Sequence, residues 1–581
     1  MRLRLLCFAL GGLLASALTL VPAPAAACGG FFCDNGQPVN QQAERIIFAQ
    51  EPDGTVTAVI QIQYAGPSER FAWMLPVSGR PEIAVSSNAA FTRLQGRTSP
   101  TYDLRTRVEG ECRRRNTGPG SGVLDAAVDM GMAEADMGTD PGAVTVVDEG
   151  SVGPYDFVLI AIDPDAADLV DLAIEWLQDN GYDVPDMGSD VLRPYLEAGQ
   201  NLLAFRLTKG NDVGAIRPVR LSFGEGLPSI PIRPTAVATV PDMGILVWVL
   251  GPGRAVPANY RSLELNEALI DWFQPGRNYD AVVTRAANEA GGQGFVTEMS
   301  GSTAALEAVI WRVGDERRWD GLQAEDWAGQ HGRLISQTSF LFVLDGAREV
   351  VTEHITPPEG VTVEEFLSCS WCFIEPTVTD VEGFDPDAYL ADLDEQVVEP
   401  MVETQALFER TAVQTRLYTT MSADEMTMDP VFDFNADLPA VPNQHTANLI
   451  IECSPAIWPQ DAPWRVELES GDVLRGRGND WPFTLGVTDM PANAVIRRVG
   501  PTGTGEGSVV EDNTGRIASF LETHNRTIPG PPPLEEEEPD APAVVGAPSA
   551  GSGFCSASPS PLGAGLLAWG VGALLLRRRR A

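Results

Sequence analysis

Thr55-Val56-Thr57-Ala58-Val59-Ile60-Gln61-Ile62-Gln63-Tyr64 decides the fold class. Val56, Ala58, Ile60, Ile62 and Tyr64 recur at period two, the repeat that places alternate side chains on one face of a pleated strand. Pro52-Asp53-Gly54 just ahead is a turn signal, so a preceding strand is expected to fold back on this one. Phe71, Trp73 and Leu75 repeat the alternation. The chain therefore opens as a β-sheet.

Working outward, strands are expected at 155–162, 202–207, 219–223, 230–236 and 245–250, and again at 415–419, 447–453, 464–469 and 494–499. Helical patterns interrupt them. Asp163 is placed to cap one whose first turn holds Pro164; Leu169, Leu172, Ala173, Trp176 and Leu177 share its face and Asn180-Gly181 stops it. Others fall at 279–290 and 303–312, and Asp385-Pro386 opens one that Pro400 interrupts before about 410. The alternation is too irregular for a doubly wound parallel sheet. It points to an α+β fold, with β-rich mixed or antiparallel sheets and a few packed helices.

The chain has 581 residues, 44% of them hydrophobic, enough for a large core. An ectodomain is expected over 28–350, interrupted at 113–153 by a disordered acidic insertion rich in Gly, Asp, Ala and Met. A second β-rich region follows over 351–526. Trp458, Trp464 and Trp481 are expected there as core anchors. Residues 527–554, with Pro-Gly-Pro-Pro-Pro and Glu535 to Glu538, form a self-repelling stalk.

Both ends read as addresses. Arg2 and Arg4, an apolar run over 5–21 and Ala25-Ala26-Ala27 make a secretory leader over 1–27, cut before Cys28. Acylation of Cys28 as a lipoprotein is the alternative, although Ala25 stands where that motif usually has Leu. At the other end Cys555 precedes an apolar run over 562–576 and then Arg577, Arg578, Arg579 and Arg580. At 1.5 Å per residue the run spans about 22 Å, short of the roughly 30 Å hydrocarbon core, which suits a transient membrane segment with cytoplasmic arginines. An ordinary C-terminal membrane helix is the plainer alternative.

Setting aside Cys7 and Cys555 leaves Cys28, Cys33, Cys112, Cys369, Cys372 and Cys453, an even set suited to disulfides in an oxidising compartment. Their pairing is open. Cys369-Ser370-Trp371-Cys372 has the spacing of a redox dithiol, yet Phe373-Ile374-Glu375-Pro376 does not read as the helix such chemistry uses. Four histidines lie outside finger-like spacing with the cysteines, which argues against zinc. Asp433, Asn435 and Asp437 alternate like the first ligands of a calcium loop, but Leu438 and Gln444 stand where the turn glycine and closing glutamate belong. An ordinary loop is the competing reading, and no other cofactor is indicated.

The net charge of −40 becomes about −46 once the six arginines of the two ends are removed, a field that repels nucleic acid and anionic headgroups. Phosphate loops, HExxH helices and GxSxG elbows are absent, and the glycines of 500–507 read as a flexible loop.

Cys555, the apolar run and the arginine cluster resemble the MYXO-CTERM sorting signal of myxobacterial-type surface proteins. That resemblance implies processing near Cys555 by a membrane protease and surface display, with lipid attachment as an optional further step. A second resemblance is carried by Ala27-Cys28-Gly29-Gly30-Phe31-Phe32-Cys33, Arg70-Phe71-Ala72-Trp73-Met74-Leu75-Pro76-Val77, Gly153-Pro154-Tyr155-Asp156 and Ile230-Pro231-Ile232-Arg233-Pro234. These segments look like the bacterial domain of unknown function 2330. Thr415-Arg416-Leu417-Tyr418-Thr419-Thr420-Met421-Ser422, Met428-Asp429-Pro430 and Phe432 look similar to it too; the family's CxxC segment commonly holds Asp-Pro where this chain has Ser370-Trp371. No activity or catalytic residue comes with that resemblance. The expected function is a non-enzymatic, surface-displayed structural or adhesive binding ectodomain; the alternatives are a thiol-disulfide oxidoreductase using Cys369 and Cys372, or a surface hydrolase. Its expected partners are the export machinery, signal peptidase, a C-terminal sorting protease, the membrane and an extracellular ligand.

Overall fold

β1 (Asn40–Gln50) and β2 (Thr55–Ala65) form the expected hairpin, closed by Gly54 at φ 89° and by Asp53, whose carboxylate accepts the Thr55 amide at 3.0 Å. The structure, a computed structural model, describes residues 40–531 apart from 66–71, 113–143, 164–165, 167, 181–187, 208–216, 238, 324–326, 328, 484 and 486–487. The leader, Cys28, Cys33, most of the acidic insertion, stalk residues 532–554, Cys555 and Arg577 to Arg580 lie outside the described residues. Among the described residues no helix is long and apolar enough to cross a membrane.

The next strands are β3 (Ala72–Val77), β4 (Glu82–Val85), β5 (Thr101–Glu109), β6 (Val144–Val152), β7 (Tyr155–Ile162), β8 (Asn201–Leu207) and β9 (Val219–Glu225). Then come β10 (Thr239–Gly251), β11 (Arg254–Pro257), β12 (Arg261–Leu265), β13 (Gly294–Ser302) and β14 (Val413–Met421). The last are β15 (Phe432–Asn435), β16 (Gln444–Glu452), β17 (Pro463–Leu468), β18 (Val473–Arg477), β19 (Asn493–Arg498) and β20 (Ser508–Asp512). With the intervening helices they make an α+β fold of mixed and antiparallel sheets.

The main sheet has ten strands in the order β20-β19-β12-β13-β14-β10-β1-β2-β9-β4. Alternation gives it two apolar faces. Ile46, Phe48, Val56, Ala58 and Ile60 pack from one face against Trp73, Leu75, Tyr155, Leu203 and Phe205 of a four-stranded sheet, β3-β8-β7-β6. That sheet's outer side, through Met74, Ile160, Leu202 and Ala204, is covered by the helices Leu169–Asp179 and Gly188–Glu197. From the main sheet's other face, Ile47, Val59, Trp248 and Leu250 bury against the helix Asn88–Thr98 and the helices between 313 and 410. The result is four layers, helix, sheet, sheet, helix. A second four-stranded sheet, β18-β17-β16-β5, packs with the helices Tyr279–Glu289 and Thr514–Asn525 around Trp464 and Trp481, whose rings stack at 5.9 Å.

Several expectations are corrected. Residue 350 does not separate two sheets, because β14, β19 and β20, all beyond it, lie in the ten-stranded sheet with β1 and β2. The acidic insertion ends early: Val144–Val152 forms β6, paired with β7 across a turn in which Gly153 takes φ 53°. The strand expected at 230–236 is instead a strap ending in the 3-10 turn Pro234–Val237, since Pro231 and Pro234 bring no amide to a ladder. It is held by Asp429, whose carboxylate accepts the Ile232 amide at 3.0 Å and the Tyr195 hydroxyl at 2.8 Å. The helix expected at 303–312 is only a 3-10 turn, Thr303–Leu306; Ala308 takes φ 57°, and the Ile310 amide is bonded by the Gln405 side chain rather than within a helix. The helix expected to be capped by Asp163 begins only at Leu169. Pro400 sits in the first turn of Glu399–Arg410, and a π-turn, Asp394–Val398, joins that helix to Pro386–Leu393, so the chain stays helical through it.

Candidate functional site

Three charged or phenolic side chains interrupt the apolar helix-side face of the main sheet. Cross-strand register puts Arg45, Leu246 and Tyr418 in one row over β1, β10 and β14, and Ile47, Trp248 and Arg416 in the next. Opposite, the β13–β14 ladder shifts between Thr297 and Met299, leaving Glu298 as the extra residue of a bulge. Bulges re-aim side chains, and this one delivers a carboxylate to Arg416. Arg416 Nε donates to Glu298 Oε2 at 2.5 Å, and the Tyr279 hydroxyl donates to Oε1 at 2.5 Å. Arg416 Nη1 reaches the Thr98 and Ser99 hydroxyls at 3.1 and 3.3 Å, Thr98 also accepts Trp248 Nε1 at 3.0 Å, and the guanidinium lies 5.3 Å from the Trp248 ring centre.

Arg45, Ser99, Tyr279, Glu298, Arg416 and Tyr418 line a cleft of about 580 Å³ between the sheet face, the entry into β5 at 99–102 and the start of the helix Tyr279–Glu289. Burial, reinforced by the nearby Glu298 charge, pushes the phenols of Tyr102, Tyr279 and Tyr418 up, so each stays a neutral hydroxyl. Tyr418 also has the Asp280 carboxylate beside it, and its hydroxyl lies over Gly244, where a Cβ would approach to 3.1 Å. Tyr102 stacks on His445 at 4.7 Å, and His445 Nδ1 lies 2.6 Å from Glu267 Oε1. Arg45 differs from Arg416. Its hydrogen bond among the described residues is to Gln61 at 3.3 Å, and burial together with the Arg416 charge lowers its pKa.

Glu44, the strand neighbour of Arg45, is 6% exposed, and burial pushes its carboxyl up to about 7 against a weak contact from Gln41 at 3.4 Å. The folded value lies above the ordinary 4.5, so this group's stability is full below about pH 4.5, declines above it and is lost beyond about pH 7. Glu44→Gln should therefore flatten the decline between pH 5 and 8 and gain up to ~3 kcal/mol at pH 8. Urea unfolding at both pH values measures it; an unchanged slope would assign the titration elsewhere.

Residues 22–312 match the family described as an uncharacterised protein conserved in bacteria, DUF2330. The chain belongs to the DUF2330 family. No curated protein and no solved structure matches it. The DUF2330 match contains Arg45, Tyr102, Tyr279, Asp280 and Glu298 and stops before Arg416 and Tyr418.

Among the described residues, none of those singled out as site candidates from the sequence lines this cleft. Cys112 and Cys453 are bridged, as are Cys369 and Cys372. Cys369 caps only a four-residue helix, Ser370–Phe373, and Cys372 is exposed beside Trp371, which is 51% exposed. Asp433 and Asn435 belong to strand β15, paired with β11, rather than to a loop. The Asn435 amide donates to the Gly500 and Gly505 carbonyls at 2.9 and 3.0 Å, its oxygen accepts the Asp437 amide at 3.0 Å, and Asp437 accepts the Gly503 amide at 2.6 Å. These side chains pin the glycine-rich loop. One group was not noticed in the sequence: Glu353, His354 and Asp392 each offer a ligand atom within 4.8 Å of the others, with His354 Nε2 already 2.5 Å from Asp392 Oδ2. They come from two separate helices, so no spacing rule would find them.

Proposed function

We propose that this DUF2330 protein is exported, displayed on the cell surface and used there as a binding ectodomain whose cleft takes a small polar ligand. Arg45 carries the binding reading: it is a half-buried guanidinium in the cleft with no carboxylate at ion-pair distance among the described residues. A cation taken partly out of water without a counter-ion is costly, and an incoming acceptor recovers that cost. The acid–base groups beside it are committed to one another, Glu298 to Arg416 and Tyr279, which fixes the cleft's shape. The export reading is supported by the leader before Cys28, the tail from Cys555 to Arg580, and cystines that suit an oxidising compartment. Its partners are then the export machinery, signal peptidase, a C-terminal sorting protease and the membrane that the tail crosses.

Mass spectrometry of the protein from a surface fraction should find an N-terminus at Cys28 and a C-terminus near Cys555. Full-length reduced chain in the cytosol would overturn export. By elimination, if all six cysteines pair, Cys28 and Cys33 form the third bridge. Exposure of Cys372 favours a second reading, thiol–disulfide exchange at Cys369 and Cys372. Under mild reductant the oxidoreductase reading expects this bridge to open before Cys112–Cys453; equal resistance of the two bridges removes it.

A further inference from the structure

Two opposite charges flank the Tyr418 hydroxyl. On one side is Arg45, two strands away in the same cross-strand row, about 10 Å between backbones at ordinary strand spacing. On the other is Asp280, in the first turn of the helix Tyr279–Glu289, exposed and with no cation at ion-pair distance among the described residues. Of the other ionisable residues along the cleft, Glu298 and Arg416 neutralise each other, and Glu44 contributes its backbone, its side chain alternating to the opposite face of β1 with Ile46 and Phe48. The cleft thus presents one spare cation, one spare anion and phenol hydroxyls between them.

The chain's charge discriminates among ligands. At −40 it repels a simple anion before Arg45 is reached, whereas a molecule with one positive and one negative group meets no net repulsion. A simple cation would leave Arg45 unpaired. We infer that the cleft binds a small zwitterion of the amino-acid kind, its carboxylate on the Arg45 guanidinium and its ammonium group on the Asp280 carboxylate, lying across the Tyr418 hydroxyl. This rests on the binding reading above and names the ligand class of the same cleft. Arg45 supplies the directional part, because a guanidinium meets a carboxylate through two parallel N–H donors.

The test is calorimetric titration of the processed full protein with γ-aminobutyrate and the common α-amino acids, beside butyrate and butylamine as half-ligands. At least one zwitterion should bind tenfold or more tightly than either half-ligand. Arg45→Gln should weaken that zwitterion tenfold or more while leaving butylamine unchanged, and Asp280→Asn should do the converse for butyrate. Both residues are partly or fully exposed, so each variant should melt with the wild type, and circular dichroism checks that. Equal binding of butyrate and the zwitterions, or an Arg45→Gln variant of undiminished affinity, overturns the inference. Neutral sugars that bind while zwitterions do not, with binding abolished by Tyr418→Ala, would overturn it and leave the binding reading standing. If no probe binds and neutral sugars also fail, both fall.

Discussion

Replacing Arg416 by methionine should lower the stability of the folded chain by about 3–5 kcal/mol, the usual cost of leaving one member of a buried ion pair alone. The carboxylate of Glu298 is 3% exposed, and without Arg416 its remaining partner is the Tyr279 hydroxyl. The Thr98 and Ser99 hydroxyls lose an acceptor role too. Methionine keeps most of the stem over Trp248, so the loss reports charge rather than packing. Adding Glu298→Gln should recover more than half of it, since the stranded charge is then gone. Urea unfolding of the single and double variants measures both; a single-variant loss under about 1 kcal/mol would mean that water reaches Glu298 freely.

Serine at both Cys112 and Cys453 should cost a further 2–5 kcal/mol, visible as a lowered unfolding midpoint that reductant no longer shifts. The bridge joins residues 341 apart, and the conformational freedom it removes from the unfolded chain grows with the logarithm of that span. It locks the far end of β5 against β16, a parallel pairing whose last rung is Glu109 with Glu452 and which no short turn could tie. The Cys453 amide still donates to the Glu109 carbonyl at 2.7 Å, and Arg465 still bridges Glu109 and Glu452, so the local geometry should survive in the variant. Unaltered midpoints would show that the ladder alone holds these ends.

Period two was legible in β2 and β3, strands were expected at β7, β8, β9, β10 and β14 as well, and α+β followed. What failed was set by partners distant in the chain. Ile230 to Ala236 has strand-like residues, but two prolines remove two of its amide donors, and its anchor, Asp429, lies some 200 residues on. The cleft was hidden for a related reason. Arg416 and Tyr418 stood in a stretch already noted, yet a charge inside a strand acquires meaning only with its counter-ion, and Glu298 reaches it through a bulge that exists only in the paired register. A half-buried arginine such as Arg45, with no carboxylate at ion-pair distance among the described residues, has no sequence signal at all. Asp433, Asn435 and Asp437 show the opposite case, a pattern whose groups are used within the protein.

β14 comes late in the chain, at Val413–Met421, and lies in the middle of its ten-stranded sheet, with β10 on one side and β13 on the other. Among the described residues, β14 supplies the backbone ladder that joins the β12–β13 pair to β10. Under the proposed export, N-terminus first, the two halves of that sheet could not be joined before β14 had emerged. Assembly of the central scaffold would then be timed by this late strand.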